Sequence, residues 1–441
     1  MEHKNKLSQL MRDFFLSFSV DRTYHLALSG GLDSSVLLAL CVEQQSALGF
    51  KLQAIHINHQ VSAHAAKWAD FCKSLCLTHN IQFIEKKVEI DHQSESGFEA
   101  EARQKRYAAL ASCLAKDDVL LTAHHQDDQA ETLLLQLLRG AGPKGLSAMP
   151  VTKTLGHGLL ARPLLSVTRE ALRDYAESMK LAWVDDESNT NKSYSRNYLR
   201  HDVLPVLTKR FPKAIQALAR SANHCAESQA LLEEYALSLL KEVEDKAANH
   251  LSITKLRALT LPQQRLVVRT WLAQQNVVLP DTIKMDVICH EIIIAGSDRN
   301  PCLTLANGYQ IRRFRDALCL VQPLPAVLPS SPYSWQLPDN LTIAGIGTLC
   351  AQSKISEGIA AHFPTVTVKF RAGGEMIWMA KRGRHSLKKM LQEWSVPIWM
   401  RERLPLLFIG EELVAVVGYF IDDRYKAKAG EAGFLPHFDA V

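Results

Sequence analysis

No two of the nine cysteines are spaced Cys-x-x-Cys, and their odd number is scattered over 441 residues. A dense disulfide framework is thereby excluded, and reduced, mostly buried thiols are expected. Cys72 and Cys76 lie one helical turn apart with His79 after them, but no second ligand pair stands at metal spacing. Long apolar runs are missing too: nothing approaches the ~20 uncharged residues that cross a bilayer. The opening Met1-Glu2-His3-Lys4-Asn5-Lys6 is charged and leads into no signal-peptide core and cleavage site, so no membrane contact and a cytoplasmic protein are expected. There is no internal repeat and no low-complexity tract. Charge of one sign does not dominate. Lys and Arg number 51 against 46 Asp and Glu, a net +5, so any surface for a polyanion must come from local clustering. With 47% hydrophobic and 22% charged residues, this is the composition of a soluble globular chain, long enough for two to four domains with their own cores.

What stands out is Ser29-Gly30-Gly31-Leu32-Asp33-Ser34. The apolar run Tyr24-His25-Leu26-Ala27-Leu28 leads in, and Val36-Leu37-Leu38-Ala39-Leu40 leads out. That is a strand, a tight glycine turn and a helix start. Gly30 and Gly31 can take positive φ and let backbone approach a ligand. Ser29, Ser34 and Ser35 add hydroxyls beside the free N–H groups at the helix start, which favour an anion. Asp33 places a carboxylate there, which suits phosphates when a divalent cation bridges them. The lysine and spacing of the Walker loop are absent, as is the dinucleotide G-x-G-x-x-G. The loop resembles the PP-loop of the N-type ATP pyrophosphatases, which cleave ATP between the α and β phosphates.

Strand and helix alternate through the first half. Strands are predicted at 24–28, 52–59, 82–88 and 118–123, and helices at 63–76, 97–114, 127–138 and 168–179. Such alternation implies a parallel, doubly wound α/β sheet with ligands beyond the strand carboxyl ends. The glycine turn, His56/His59 and His124/His125 all fall there. From about 197 the pattern is helical to 244 and on to about 294, and 302–320 reads as two strands around the turn pair Asn307-Gly308. Five prolines and few charges mark 322–340 as a linker. The domains expected are 1–215, 216–321 (mainly helical), a linker 322–345, and a small basic α+β domain 346–441.

Several constellations carry chemistry. His124, Asp128 and Glu131 are spaced i, i+4, i+7 and share a helix face if the helix begins early enough. One of Asp127 and Asp128 is open to a capping role instead. Arg103 and Arg106 offer a guanidinium fork for phosphate or carboxylate; the alternative is a solvated face supported by Glu99. His56 and His59 flank Asn58, with structural and functional roles both open. Arg139-Gly140-Ala141-Gly142-Pro143-Lys144-Gly145 is a basic, glycine-rich loop, and Ser188-Asn189 with Arg196, Asn197 and Arg200 forms a second polar segment. Lys381, Arg382, Arg384, Lys388 and Lys389 lie near Trp394 and Trp399. Cations interleaved with aromatics suit RNA phosphates and bases; a solvated loop over core tryptophans is the alternative.

These residues together resemble the bacterial tRNA(Ile)-lysidine synthetase family over nearly the whole chain. The likeness is carried by 29–34, His56-Ile57-Asn58-His59, 99–107, the 123–149 block, Arg162-Pro163-Leu164-Leu165, Asp186-Glu187-Ser188-Asn189 with Arg196-Asn197, and the C-terminal basic stretch. The resemblance implies a Rossmann-like PP-loop domain and an ATP-dependent ligase. Such an enzyme adenylates the wobble cytidine of the CAU anticodon of tRNA(Ile), then joins L-lysine to C2. Carried over residue by residue, Ser29, Gly30, Gly31, Leu32, Asp33, Ser34 and His56 bind ATP, with Asp33 holding Mg2+. Asp33, His124, Asp128, Arg103 and Arg196 are catalytic. Asp128 and Glu131 hold lysine; Arg139, Lys144, Arg200, Lys381, Arg382, Arg384, Lys388 and Lys389 meet tRNA. The sequence leaves a homodimer open. Two rivals remain, a PP-loop tRNA thiolase and an inert RNA-binding protein on the same fold.

Overall fold

A computed structural model gives the fold. It describes every residue except 1, 59–63, 90–97, 186–190, 246–248, 297–298, 324–330, 381 and 441, and of 2–4, 98–100 and 440 the backbone alone. There are two compact units, Met1–Tyr235 and Ala236–Val441.

The first unit runs α1 (Glu2–Ser17), β1 (Thr23–Ala27), α2 (Leu32–Leu48), β2 (Lys51–Asn58), α3 (Ala65–Thr78), β3 (Gln82–Lys87), α4 (Phe98–Ala111), β4 (Val119–Leu121), α5 (Gln126–Leu138), α6 (Pro143–Leu146), β5 (Thr152–Leu155), β6 (Gly158–Ala161), α7 (Arg169–Ser178), α8 (Ser195–Tyr198), α9 (Leu204–Arg210) and α10 (Ala214–Val243). A π-helical turn, Leu199–Val203, joins α8 to α9. The strands form one sheet in the order β3-β2-β1-β4-β6-β5, parallel except for β5.

Successive strand residues point to opposite faces, and here each face has its own core. Leu26, Leu52, Ala54, Val119, Leu121 and Ala161 pack with Met11, Phe15, Val36, Leu37, Leu40, Leu172 and Tyr175 from α1, α2 and α7. Ile55, Leu120 and Leu160 face the other way, against Leu110 and Leu114. Burial on both faces is why these strands read as near-continuous apolar runs. The chain winds outward through β1, β2 and β3, then restarts at β4 on the other side of β1. The gap this leaves beyond β1 and β4 is where such sheets bind ligands.

Two strands escape the sequence pattern. β5 and β6 form a hairpin turned at Gly156, at φ +57. β6 extends the parallel sheet and carries Arg162 at its end.

Among its elements the second unit has α11 (Ile253–Ala258), α12 (Leu261–Gln274) and α13 (Thr282–Val287). They pack on a five-stranded antiparallel sheet, Glu244–Asp245, His250–Ser252, Ala317–Val321, Gln310–Phe314 and Cys302–Thr304 in spatial order. Trp271, Leu251, Ile311 and Leu318 share their core. The stretch 216–321, read as mainly helical, therefore also holds a sheet of very short strands. Asn307 and Gly308, at φ 58 and 78, make the turn between Cys302–Thr304 and Gln310–Phe314. Within the segment read as a linker, Tyr333–Gln336 is a strand pairing with Thr365–Lys369, anchored by buried Trp335. Further on, Met376–Met379 and Gly383–Ser386 form a hairpin that feeds the helix Leu387–Glu393. Among the described residues no helix is long and apolar enough to cross a membrane.

Candidate active site

A cleft of about 640 Å³ opens beyond the carboxyl ends of β1, β2 and β4. One wall is the glycine turn and first turn of α2: Ser29, Gly31, Leu32, Asp33 and Ser34 all line it. Gly30 has φ +86, and a Cβ there would stand 3.0 Å from Cys72 Sγ, so both conformation and space require glycine. Gly31 differs from the expectation of positive φ. It is extended, at φ −74, and acts as the cap of α2. Ser34 Oγ donates to the Gly31 carbonyl at 2.9 Å and lies 3.1 Å from Ser29 Oγ. The Gly30 carbonyl accepts from Val184 N–H at 2.9 Å, which ties the segment after α7 to this turn. Asp33 Oδ1 is buried with no hydrogen-bond partner in the protein. A carboxylate oxygen left free beside a helix N-terminus fits Mg2+, whose remaining positions suit phosphate and water oxygens.

The opposite wall is charged. α5 begins at Gln126, with His125 as its cap, so His124 precedes the helix rather than sharing its face. Asp128 reaches back and accepts from His125 N–H at 3.0 Å, while Asp127 accepts from Arg169 N–H at 3.0 Å and secures the start of α7. Asp128 thus both caps α5 and faces the cleft. Two arginines, four residues apart across α8 and the π-turn, close on α5. Arg196 Nε donates to Glu131 at 2.6 Å and its Nη2 to Asp128 at 2.7 Å. Arg200 Nε donates to Glu131 at 2.6 Å, and its Nη2 reaches Glu131 at 3.0 Å and Asp128 at 3.2 Å. Glu131 is 0% exposed and does not line the cleft. Burial works against the Asp128 carboxylate, but His125, Arg196 and His124 together hold it well below the usual range.

His124 Nδ1 is 2.9 Å from Thr122 Oγ1. Burial drives its pKa down to about 3, with Arg162, Arg196 and Arg106 pushing the same way against Asp128, so the ring is neutral. His125 is the reverse. Burial lowers it, but Asp127, Asp33 and Asp128 outweigh that and raise it to about 10. From α4, Arg103 and Arg106 enter the cleft with Cζ 5.1 and 5.4 Å from the Tyr107 ring centroid. Burial lowers the Arg106 pKa. His56 is buried and donates from Nδ1 to the Leu28 carbonyl at 2.8 Å, leaving Nε2 as acceptor.

The structure brings Ser29, Gly31, Leu32, Asp33, Ser34, His56, Arg103, His124, Asp128, Arg196 and Arg200 to one cleft. Arg200, read as an RNA contact, sits instead on the buried acid pair. Arg139 and Lys144 are exposed, Lys144 at 3.7 Å from Glu233. Arg384, Lys388 and Lys389 are exposed on the Gly383–Ser386 hairpin and its helix, and exposed Arg382 pairs with Glu393 at 3.2 Å. Trp399 is a core residue, and Trp394 is half-buried against Tyr419 and Phe420. His59, Lys381, Ser188-Asn189 and the Glu99 side chain lie outside the described residues. Thr122 and Tyr107 were not singled out from sequence. The available signals were a hydroxyl two residues before His124 and an aromatic next to Arg106. Cys72 and Cys76 are buried, and burial raises their thiols to about 12 and 11, which disfavours the metal-binding thiolate.

Residues 1–207 match a PP-loop domain family, 251–319 a TilS substrate binding domain, and 366–437 a TilS substrate C-terminal domain. A curated tRNA(Ile)-lysidine synthase from Coxiella burnetii is 41% identical over 429 residues, spanning 96% of this chain and 94% of that one. The chain belongs to the tRNA(Ile)-lysidine synthase family. A second lysidine synthase, from Serratia proteamaculans, is 36% identical over 98% of this chain and 99% of its own. Among solved structures, a U34-tRNA thiolase from Methanococcus maripaludis with its 4Fe-4S cluster aligns at TM-score 0.42 and 18% identity, over 51% of this chain and 79% of that one. The PP-loop match covers the doubly wound sheet and every lysidine-synthase-like residue of the cleft, and membership of that family implies use of ATP.

Proposed function

We propose that this cleft converts the wobble cytidine of a tRNA(Ile) CAU anticodon to lysidine, using ATP and free L-lysine. The observation that carries the reading is a single cleft with a phosphate-type glycine turn on one wall and an acid–arginine cluster on the other.

The C2 oxygen of cytidine attacks the α-phosphorus of ATP, the bridge to the β-phosphate breaks, and pyrophosphate leaves. The first turn of α2 offers N–H groups to that anion, with the Ser29 and Ser34 hydroxyls beside them. Asp33 is the residue to hold Mg2+, which when bound screens the charge shifting between phosphates. Arg103 faces the cleft from α4, able to neutralise the adenylate phosphate. The ε-nitrogen of lysine then bonds C2, the C2–O bond breaks, and AMP departs with that oxygen while the amine gives up its proton.

A lysine ammonium has a pKa of about 10.4. His124, at about 3, and Asp128, held low by its cationic neighbours, are both far too weak as bases to take that proton at equilibrium. Their part is positioning: Asp128 attracts the amine, and neutral His124 offers a hydrogen bond. Glu131 can join in holding lysine only if Arg196 or Arg200 yields, since both its oxygens are engaged. Its direct work is to fix the two guanidiniums. The exposed Arg384, Lys388 and Lys389, with Arg139 and Lys144, are the cations for tRNA phosphates. A tRNA substrate and reduced thiols both fit the cytoplasm.

The test is to incubate the protein with ATP, Mg2+, radiolabelled lysine and tRNA(Ile) transcript. One AMP per lysine incorporated is expected. ADP as product, or no lysine in the RNA, refutes the reading.

A further inference from the structure

His125 is 1% exposed and does not line the cleft, yet it touches the carboxylates of three separate elements. Its Nε2 lies 3.6 Å from Asp33 Oδ2, in the first turn of α2, and 3.5 Å from Asp128 Oδ2, in α5. On the other edge of the ring, Nδ1 lies 3.7 Å from Asp127 Oδ2, the carboxylate that receives the first N–H of α7. Three acids gathered in a dry place repel one another unless something cationic or donating stands between them. Among these neighbours the imidazole is the group placed to do so. Behind the cleft, it meets the one carboxylate that faces the phosphates and the one that faces the arginine pair.

We propose that His125 is a positioning residue whose Nε2 edge sets Asp33 and Asp128 in register across the cleft, while its Nδ1 edge serves only to fasten α7. The proposal rests on the reading of Asp33 as the metal and nucleotide residue. It divides one ring into a functional edge and a structural edge, and the two can be replaced separately. The amide nitrogen of glutamine falls near the position of Nε2, and that of asparagine near Nδ1. His125→Gln therefore keeps a donor toward Asp33 and Asp128, and His125→Asn keeps one toward Asp127.

The measurement is Mn2+ binding, followed by electron paramagnetic resonance, in the presence of the α,β-methylene analogue of ATP, with a thermal melt on the same samples. His125→Gln is expected to hold Mn2+ within about threefold of wild type, and His125→Asn to lose about tenfold or more, the scale of one charge-assisted hydrogen bond. The melts should rank the other way, with Asn closer to wild type. Equal affinities for the two variants, or better binding by Asn, overturn the assignment of the edges. Asp127→Asn is an independent arm should His125→Gln not fold. It keeps an acceptor for Arg169 and leaves the Nε2 edge untouched, so affinity should stay within about threefold while the melting point falls. A loss of about tenfold there also overturns the proposal. Wild-type protein that binds no Mn2+ with the analogue defeats the ATP reading itself, and the proposal with it. Wild-type binding with undifferentiated variants defeats the proposal alone.

Discussion

Replacing Glu131 with alanine takes the shared acceptor away from two guanidiniums at once. Removing one partner of a buried ion pair costs about 3–5 kcal/mol, because the remaining charge is left without compensation. Here the cost is smaller. Arg196 and Arg200 are 21% and 20% exposed, and each keeps Asp128, at 2.7 and 3.2 Å. Discounting for that residual pairing and solvent leaves about 2–3 kcal/mol. Glu131 lies in a unit of 235 residues, for which each kcal/mol moves the melting point by about 2–4 °C. The transition of that unit should therefore fall by about 4–12 °C in calorimetry. The double variant Glu131→Ala/Arg200→Ala should lose less than the sum of the singles, with about 1–2 kcal/mol of coupling. A shift under about 1 °C, or strict additivity, would mean that the pair carries no stabilisation, and the reasoning would fail.

Asp33→Asn should cut tRNA-dependent AMP release by about 100-fold or more and leave tRNA affinity unchanged; a parallel loss of tRNA binding would point to misfolding instead. His124 ties stability to acid. The unfolded ring takes a proton near 6.5, and the folded one not until about 3, so the unfolded state binds more protons in between and stability drops as pH falls through that window. His124→Gln should flatten the decline in urea stability between pH 6.5 and about 4; an unchanged slope would count against the buried neutral ring. Lys388→Ala/Lys389→Ala should weaken tRNA binding and lower its logarithmic salt slope by about one per lost phosphate contact, with ATP binding untouched. An unaltered slope would remove those lysines from the RNA surface.

Much of the first unit was legible because its signals are local. β1 to β4 carry long apolar runs, and the glycine turn announces itself within six residues. The i, i+4 and i+7 spacing did place Asp128 and Glu131 together, but not what they meet. Arg196 and Arg200 lie more than sixty residues downstream, and spacing along a chain says nothing about who arrives from outside. His124 fell off the expected face because the helix starts two residues after it. β5 and β6 stayed hidden because four residues either side of a turn give too short an alternation. In the second unit, Ile311-Arg312-Arg313-Phe314 hid a strand because Arg313 is buried, its guanidinium spent on the carbonyls of Ile293, Ala295 and Arg315. Trp335 likewise turned a proline-rich stretch into part of a core.

The π-turn at Leu199–Val203 bears on what this stretch tolerates over generations. Each residue of a helix advances about 100° around its axis, so dropping or adding one position between Arg196 and Arg200 would swing the second guanidinium away from α5. Outward-facing identities there can drift while the count cannot. Natural variation across this bend should thus appear as swaps of letters at constant length, with insertions and deletions confined to the loops on either side.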